Sequence, residues 1–247
     1  MGTKKIIFAA CVAFSSLLAT SCKEDKDLMP SEVELQESEM DKLSKLAINE
    51  FLAFAQNPRY GYHLDQAHDY LMNWARSHGF KCYTDAALNV WFDVPATAGM
   101  ASSPKVILQA HMDQICASAP GETYDYTKVA GEPYYEGNLL KGRKVNLGAD
   151  DGSGVGMILA LVSSNISHGE IRVLITTNED YTMEGAATLS SDVLDAEYLI
   201  NIDNEWLGEI AIGCYGGFSK DFIQHYQTMA PSAGQKKIIF SVSGLKG

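Results

Sequence analysis

Positive charge is scarce in this sequence. Its 19 Lys and Arg face 31 Asp and Glu, for a formal net charge of -12. No sustained Lys/Arg run occurs, so the electrostatic footprint of a nucleic-acid binder is missing and no nucleic-acid partner is expected. The acidity itself reads as a solvated surface and says nothing about substrate charge. Cysteine is sparse too. Beyond residue 22 only Cys82, Cys116 and Cys214 remain, and none falls in a Cys-x-x-Cys pair. Neither a disulfide framework nor a redox dithiol is indicated. There is no internal repeat and no low-complexity block. The apolar run Ile6 to Ala19 falls short of the roughly 20 residues of a membrane helix.

That run does fit the apolar region of a signal peptide. Lys4 and Lys5 precede it, and Ala19-Thr20-Ser21-Cys22 follows. The four residues look like a bacterial lipoprotein cleavage box, with Ala19 where Leu is usual. The expectation is a signal peptide over residues 1–22, lipidation at Cys22 and a polar tether over 23–40 beginning Lys23-Glu24-Asp25-Lys26-Asp27. It places the protein outside the cytoplasm, anchored to a bacterial membrane through lipid, in the periplasm or at the cell surface.

Past the tether the pattern alternates. Leu43, Leu46, Ala47, Phe51 and Phe54 predict a helix over Asp41 to Phe54. Gln56-Asn57-Pro58-Arg59-Tyr60-Gly61-Tyr62 breaks it, and a second helix is expected from His63 to Ser77, closed by Gly79. Phe80 to Thr84, Asn89 to Val94, Val106 to Ala110, Ile171 to Thr176 and Tyr198 to Ile202 read as strands. Gly152 to Ser164 reads as a helix packed tightly on a sheet, and a further helix starts near Ala186. Apolar strands without clean alternation, interleaved with helices, argue for an α/β fold whose sheet is covered on both faces. From Gly213 the character changes: a flexible Gly213-Cys214-Tyr215-Gly216-Gly217, then a strand over Lys236 to Val242, read as the start of another domain.

Chemistry-bearing residues gather where the apolar runs end. His111-Met112-Asp113 follows one strand, and its spacing lets both side chains point the same way. Asp113 could then accept a proton from one imidazole nitrogen while the other binds a metal. Alone, His111 could equally be a satisfied polar group. Asp150-Asp151, in Gly148-Ala149-Asp150-Asp151-Gly152, could cap a helix or bridge two cations. Glu179-Asp180 follows Val173 to Thr177, and if one binds metal its neighbour can hold the attacking water. Asp203 follows the last strand. In an α/β sheet strand C-termini converge on a shared crevice, so the conjunction points to a hydrolytic metal centre.

These residues resemble the dinuclear zinc aminoacyl-histidine dipeptidases, also called cytosolic non-specific dipeptidases. The resemblance runs from about Leu43 to Gly247 and matches the N-terminal half only. It is carried by Val106-Ile107-Leu108-Gln109-Ala110-His111-Met112-Asp113, Asn146-Leu147-Gly148-Ala149-Asp150-Asp151-Gly152, His168 to Leu174, Leu199-Ile200-Asn201-Ile202-Asp203 and Ile212 to Gly217, with Gly244-Leu245-Lys246-Gly247 like the opening of a further family motif. It implies a mixed sheet flanked by helices, with 41–213 as part of the catalytic domain and 214–247 as the beginning of a lid or dimerisation domain. His111 and Asp203 would bind a first zinc, Asp150 would bridge, Asp180 would bind a second, Asp113 would orient His111 and Glu179 would be the general base. Two Zn2+ are implied for a full-length member, with one or none for residues 1–247 and Mn2+ or Co2+ as substitutes. The implied substrate is a small peptide, Xaa-His or a non-specific dipeptide, and the resemblance leaves room for a homodimer. Asp180 stands where the family usually carries Glu, and Tyr181 where Thr is common. The family's lid histidine and the second zinc's last histidine have no counterpart among His63, His68, His78, His168 and His225, which read as structural or exposed. Residues 1–247 by themselves are therefore expected to be inactive. The other functions weighed are a non-catalytic exported binding protein, a decayed gene product and an N-acyl amino acid deacylase.

Overall fold

The computed structural model describes residues 37–204, 206, 208–213, 230, 232–234 and 236. The expected signal peptide, Cys22, most of the tether and nearly all of 214–247, including the Lys236 to Val242 strand, lie outside the described residues. The chain divides into two compact units, Met1–Glu209 and Ile210–Gly247, and every helix and strand named here lies in the first. Among the described residues no helix is long and apolar enough to cross a membrane.

The elements run α1 (Glu37–Phe54), α2 (Asp65–Ser77), β1 (Cys82–Thr84), β2 (Val90–Val94), β3 (Val106–His111), β4 (Pro133–Glu136), β5 (Leu139–Gly142), α3 (Ala149–Ser163), β6 (Ile171–Thr176), α4 (Glu184–Ala187), a short 3-10 turn (Ser191–Leu194) and β7 (Tyr198–Asn201). Helix α1 begins inside the segment expected as tether, because neither Gly nor Pro interrupts residues 37–41. The β4–β5 hairpin has no counterpart in the sequence reading. Its turn is Gly137-Asn138, with Gly137 at positive φ of 61°.

The main sheet has strand order β1-β2-β6-β3-β7. Strands β6, β3 and β7 are mutually parallel, while β2 joins β6 and β1 joins β2 antiparallel. The result is the mixed α/β sheet expected, with α3 in the long connection from β3 to β6 that parallel pairing requires. One face carries Val90, Phe92 and Val94, Val106, Leu108 and Ala110, and Ile171, Val173 and Ile175. They pack with Phe54, Leu71, Trp74, Val155, Ile158 and Leu159 from the helices. Each such side chain contributes about 1.5–3 kcal/mol through burial. The opposite face is covered more thinly, by Val193, Leu189 and Ala196 over Ile107 and Leu174. Helix α3 is buried almost all round because it lies between the sheet and α1. Gly156 permits that approach: a Cβ there would stand 2.8 Å from the Ala47 carbonyl oxygen and from the Phe51 nitrogen.

Candidate metal centre

The parallel strands end on one edge of the sheet, and the polar clusters follow those ends. His111 closes β3, residues 178–180 follow β6, Asp203 follows β7, and Asp150 and Asp151 stand at the start of α3. Gly148, at φ 68°, turns the chain into that helix. Asp150 and Asp151 have non-helical backbones, and the peptide bond between them is cis.

His111 is the centre of the cluster, its side chain only 1% exposed. Its Nε2 lies 3.1 Å from Asp150 Oδ1, 3.7 Å from Asp203 Oδ2 and 3.8 Å from Glu179 Oε2. Its Nδ1 lies 3.5 Å from Asp113 Oδ1. That is an ion-pair contact rather than a made hydrogen bond, and Nδ1 has no hydrogen-bond partner. Donor atoms gather within 4.8 Å of one another in two groups, His111 with Glu179 and Asp203, and His111 with Asp113 and Asp180. The residues singled out from sequence therefore lie together, although Asp150 belongs to neither group and reaches His111 by its single contact. Of the other histidines, His68 contacts Asp69 and Thr84, His78 contacts Trp74, and His168 bonds the Gly169 carbonyl.

Asp113 ties the site together. Fully buried, it accepts the Glu179 amide at 3.1 Å on Oδ1 and the Asp180 amide at 3.2 Å on Oδ2. The loop after β6 is thus fastened to the loop after β3. Asn89, also buried, accepts the Thr177 amide and donates to the Gly185 carbonyl, bracing the same loop from behind. Asn178 and Arg59 were given no role in the sequence reading, and Asp151 was read there only as a pair with Asp150. Asp151 is buried and its Oδ2 accepts the His111 amide at 3.1 Å. Asn178, at φ 54°, accepts the Tyr62 amide. Arg59 lies buried behind the His111 and Gly148 loops. Asp151 had a signal in its pairing with Asp150. Arg59 had one in being the sole basic residue of the Gln56 to Tyr62 break.

The electrostatics show an excess of negative charge. Burial alone would lower the His111 pKa, but the carboxylates of Asp113, Asp151 and Asp203 prevail and hold it up at about 10. Burial first, then the charge of Asp203, pushes Asp151 up to about 8. Burial likewise raises Glu179 and Asp180, helped by neighbouring carboxylates and opposed by His111. One imidazole among six carboxylates, with Nε2 facing oxygens of three of them, is a donor set that fits a divalent cation bound through nitrogen and oxygen.

Over 212 residues the chain is 37% identical to the cytosol non-specific dipeptidase of Escherichia coli (strain K12), a match covering 85% of this chain and 44% of that enzyme. The chain belongs to this dipeptidase family. It spans less than half the length of that relative, a coverage that fits the N-terminal half of such an enzyme. The aminoacylhistidine dipeptidase from Vibrio alginolyticus superposes with a TM-score of 0.62 at 33% identity, covering 66% of this chain and 34% of that one. A tripeptidase from Staphylococcus aureus, with a TM-score of 0.54 at 24% identity over 65% of this chain and 43% of its own, shares the fold. No protein-family model matches the chain.

Membership of the dipeptidase family corrects one expectation. The exported, lipid-anchored reading is overturned by a relative whose name places it in the cytosol. That reading rested on local hydrophobicity over residues 1–22 and a cleavage box with Ala19 in place of Leu, with no support from the folded part of the chain.

Proposed function

We propose that the protein acts in the cytoplasm as a metal-dependent peptidase on small peptides, dipeptides foremost. The observation that carries the reading is the convergence of Asp150, Glu179 and Asp203 on His111 Nε2 in a member of a dipeptidase family. His111 and Asp203 would hold one Zn2+, Asp180 a second, with Asp150 between them; Mn2+ or Co2+ could serve in their place. The metal, when bound, supplies Lewis acidity to a carbonyl oxygen and to water.

The chain's own residues perform the proton work. Asp113 faces His111 Nδ1, and a proton kept there would leave Nε2, once it gives up its own proton, to bind a cation beside Asp150, Glu179 and Asp203. Glu179 takes the proton of the attacking water on a carboxylate oxygen and returns it to the leaving amine. In the metal-free protein burial raises its pKa, opposed by His111 and helped by Asp203, Asp180 and Asp113, and a bound cation would counter those carboxylates. Asp113 also holds the Glu179 amide, so base and imidazole keep a fixed separation.

The test is hydrolysis of a dipeptide panel that includes Xaa-His, by a full-length protein carrying these residues, since residues 1–247 alone are expected to be inactive, after stripping with chelator and resupply of Zn2+, Mn2+ or Co2+. Activity should follow the metal, and Glu179→Gln should lower kcat by about 10²–10⁴-fold. Turnover indifferent to chelator and to E179Q would refute the reading.

A further inference from the structure

Arg59 is 2% exposed, and its hydrogen-bond partners are main-chain carbonyls rather than carboxylates. One terminal nitrogen donates to the Met112 and Asp113 oxygens, both at 3.2 Å. The other donates to the Gly148 oxygen. The guanidinium carbon lies 5.0 Å from the centroid of the Phe54 ring. The Arg59 main chain takes part as well, its carbonyl accepting the Gln114 amide at 3.0 Å. One side chain thus joins the loop that carries His111 and Asp113 to the turn that presents Asp150.

Two glycines are shaped around it. A Cβ on Gly148 would collide with the guanidinium and with Gln114, and a Cβ on Gly152 would stand 2.6 Å from the same terminal nitrogen. An arginine buried this deeply costs several kcal/mol unless well partnered, so its placement needs a compensating role. The charges of Asp151, Asp113 and Asp150 act on it, yet it hydrogen-bonds none of their carboxylate oxygens. It therefore offsets part of the acidic excess while itself taking no carboxylate oxygen of the cluster. A lysine could not do the same, because its single ammonium lacks the planar fork that reaches two loops at once.

We propose that Arg59 is a positioning residue that sets the spacing between the His111 loop and the Asp150 turn, and through it the affinity of the metal centre. The affinity part rests on the metal reading above; the spacing part rests on the carbonyl contacts alone.

The experiment pairs two readouts on the full chain, wild type against Arg59→Met and Arg59→Lys. Zn2+ affinity is measured by competition with a chromophoric chelator, and amide hydrogen exchange is followed by mass spectrometry in metal-free protein. Arg59→Met should weaken Zn2+ binding about 10–100-fold, the range for loss of an outer support to a ligand. It should also speed exchange over 112–115 and 147–152 while leaving β2 and β6 protected. Arg59→Lys should fall between, and it carries the test if Arg59→Met does not fold. Lowered thermal stability with wild-type affinity and no exchange change confined to these loops would mean an ordinary buried arginine and overturn the proposal. If wild type binds no Zn2+, the metal reading falls and the affinity claim with it. Faster exchange confined to the two loops would still support the clamp.

Discussion

Gly156→Ala should destabilise the protein even though alanine is the better helix former. In an isolated helix the exchange would gain about 1 kcal/mol. Here the new methyl would meet Ala47 O, Phe51 Cβ and Phe51 N, each at 2.8 Å. Carbon atoms prefer about 3.5–4.0 Å, so α1 and α3 must part by roughly 0.7 Å or more. The obstacles are mostly helix backbone, which cannot rotate out of the way. Overpacking of this kind costs about 1–3 kcal/mol, and separation also loosens Leu43, Ala47 and Phe51, all buried in α1. The net expectation is a loss of about 1–2 kcal/mol. For a chain of this size that lowers Tm by about 2–8 °C. Urea and thermal unfolding followed by circular dichroism would measure it. An unchanged or higher Tm would refute the close-packed α1–α3 contact.

Two further outcomes follow from polar groups. Asn89→Ala should cost about 1–3 kcal/mol in urea unfolding, because it strands the Thr177 amide, while the Gly185 carbonyl keeps the Thr188 hydroxyl as a donor. Burial would raise the Asp93 pKa, but the paired Arg172 bonds at 2.8 Å and the nearby Lys105 outweigh it and hold it below 3.8. With the folded pKa depressed, the stabilisation is complete above the ordinary carboxylate pKa and disappears as pH falls through the folded value. Asp93 is about a third exposed, so the contribution is discounted to about 0.5–1 kcal/mol. Urea midpoints of wild type and Asp93→Asn should differ at pH 6 and converge toward pH 2; a constant difference would refute the assignment.

The central strands were legible because burial on both faces leaves a continuous apolar run, as in Val106 to Ala110 and Ile171 to Thr176. The polar clusters were legible because they stand immediately after those runs, and parallel pairing of β3, β6 and β7 brings their ends to one edge. The β4–β5 hairpin was not read: its strands have four residues each and none of them is buried, so no continuous apolar run marks them. The Gly137-Asn138 pair between them was the available clue. Arg59 was invisible for a different reason. Its partners lie 53, 54 and 89 residues away, and a hydrogen bond to a main-chain carbonyl leaves no mark on the partner's identity. The role of Asp151 was hidden in the same way, since its partner is the His111 amide.

Calorimetric titration of Zn2+ into chelator-stripped protein tests the central claim most directly, with His111→Ala beside wild type. His111 is common to both donor groups and contributes its buried imidazole to each. The account predicts saturable binding by wild type and an affinity at least about 100-fold weaker in H111A. Wild type that takes up no metal, or H111A that binds as well as wild type, would contradict it.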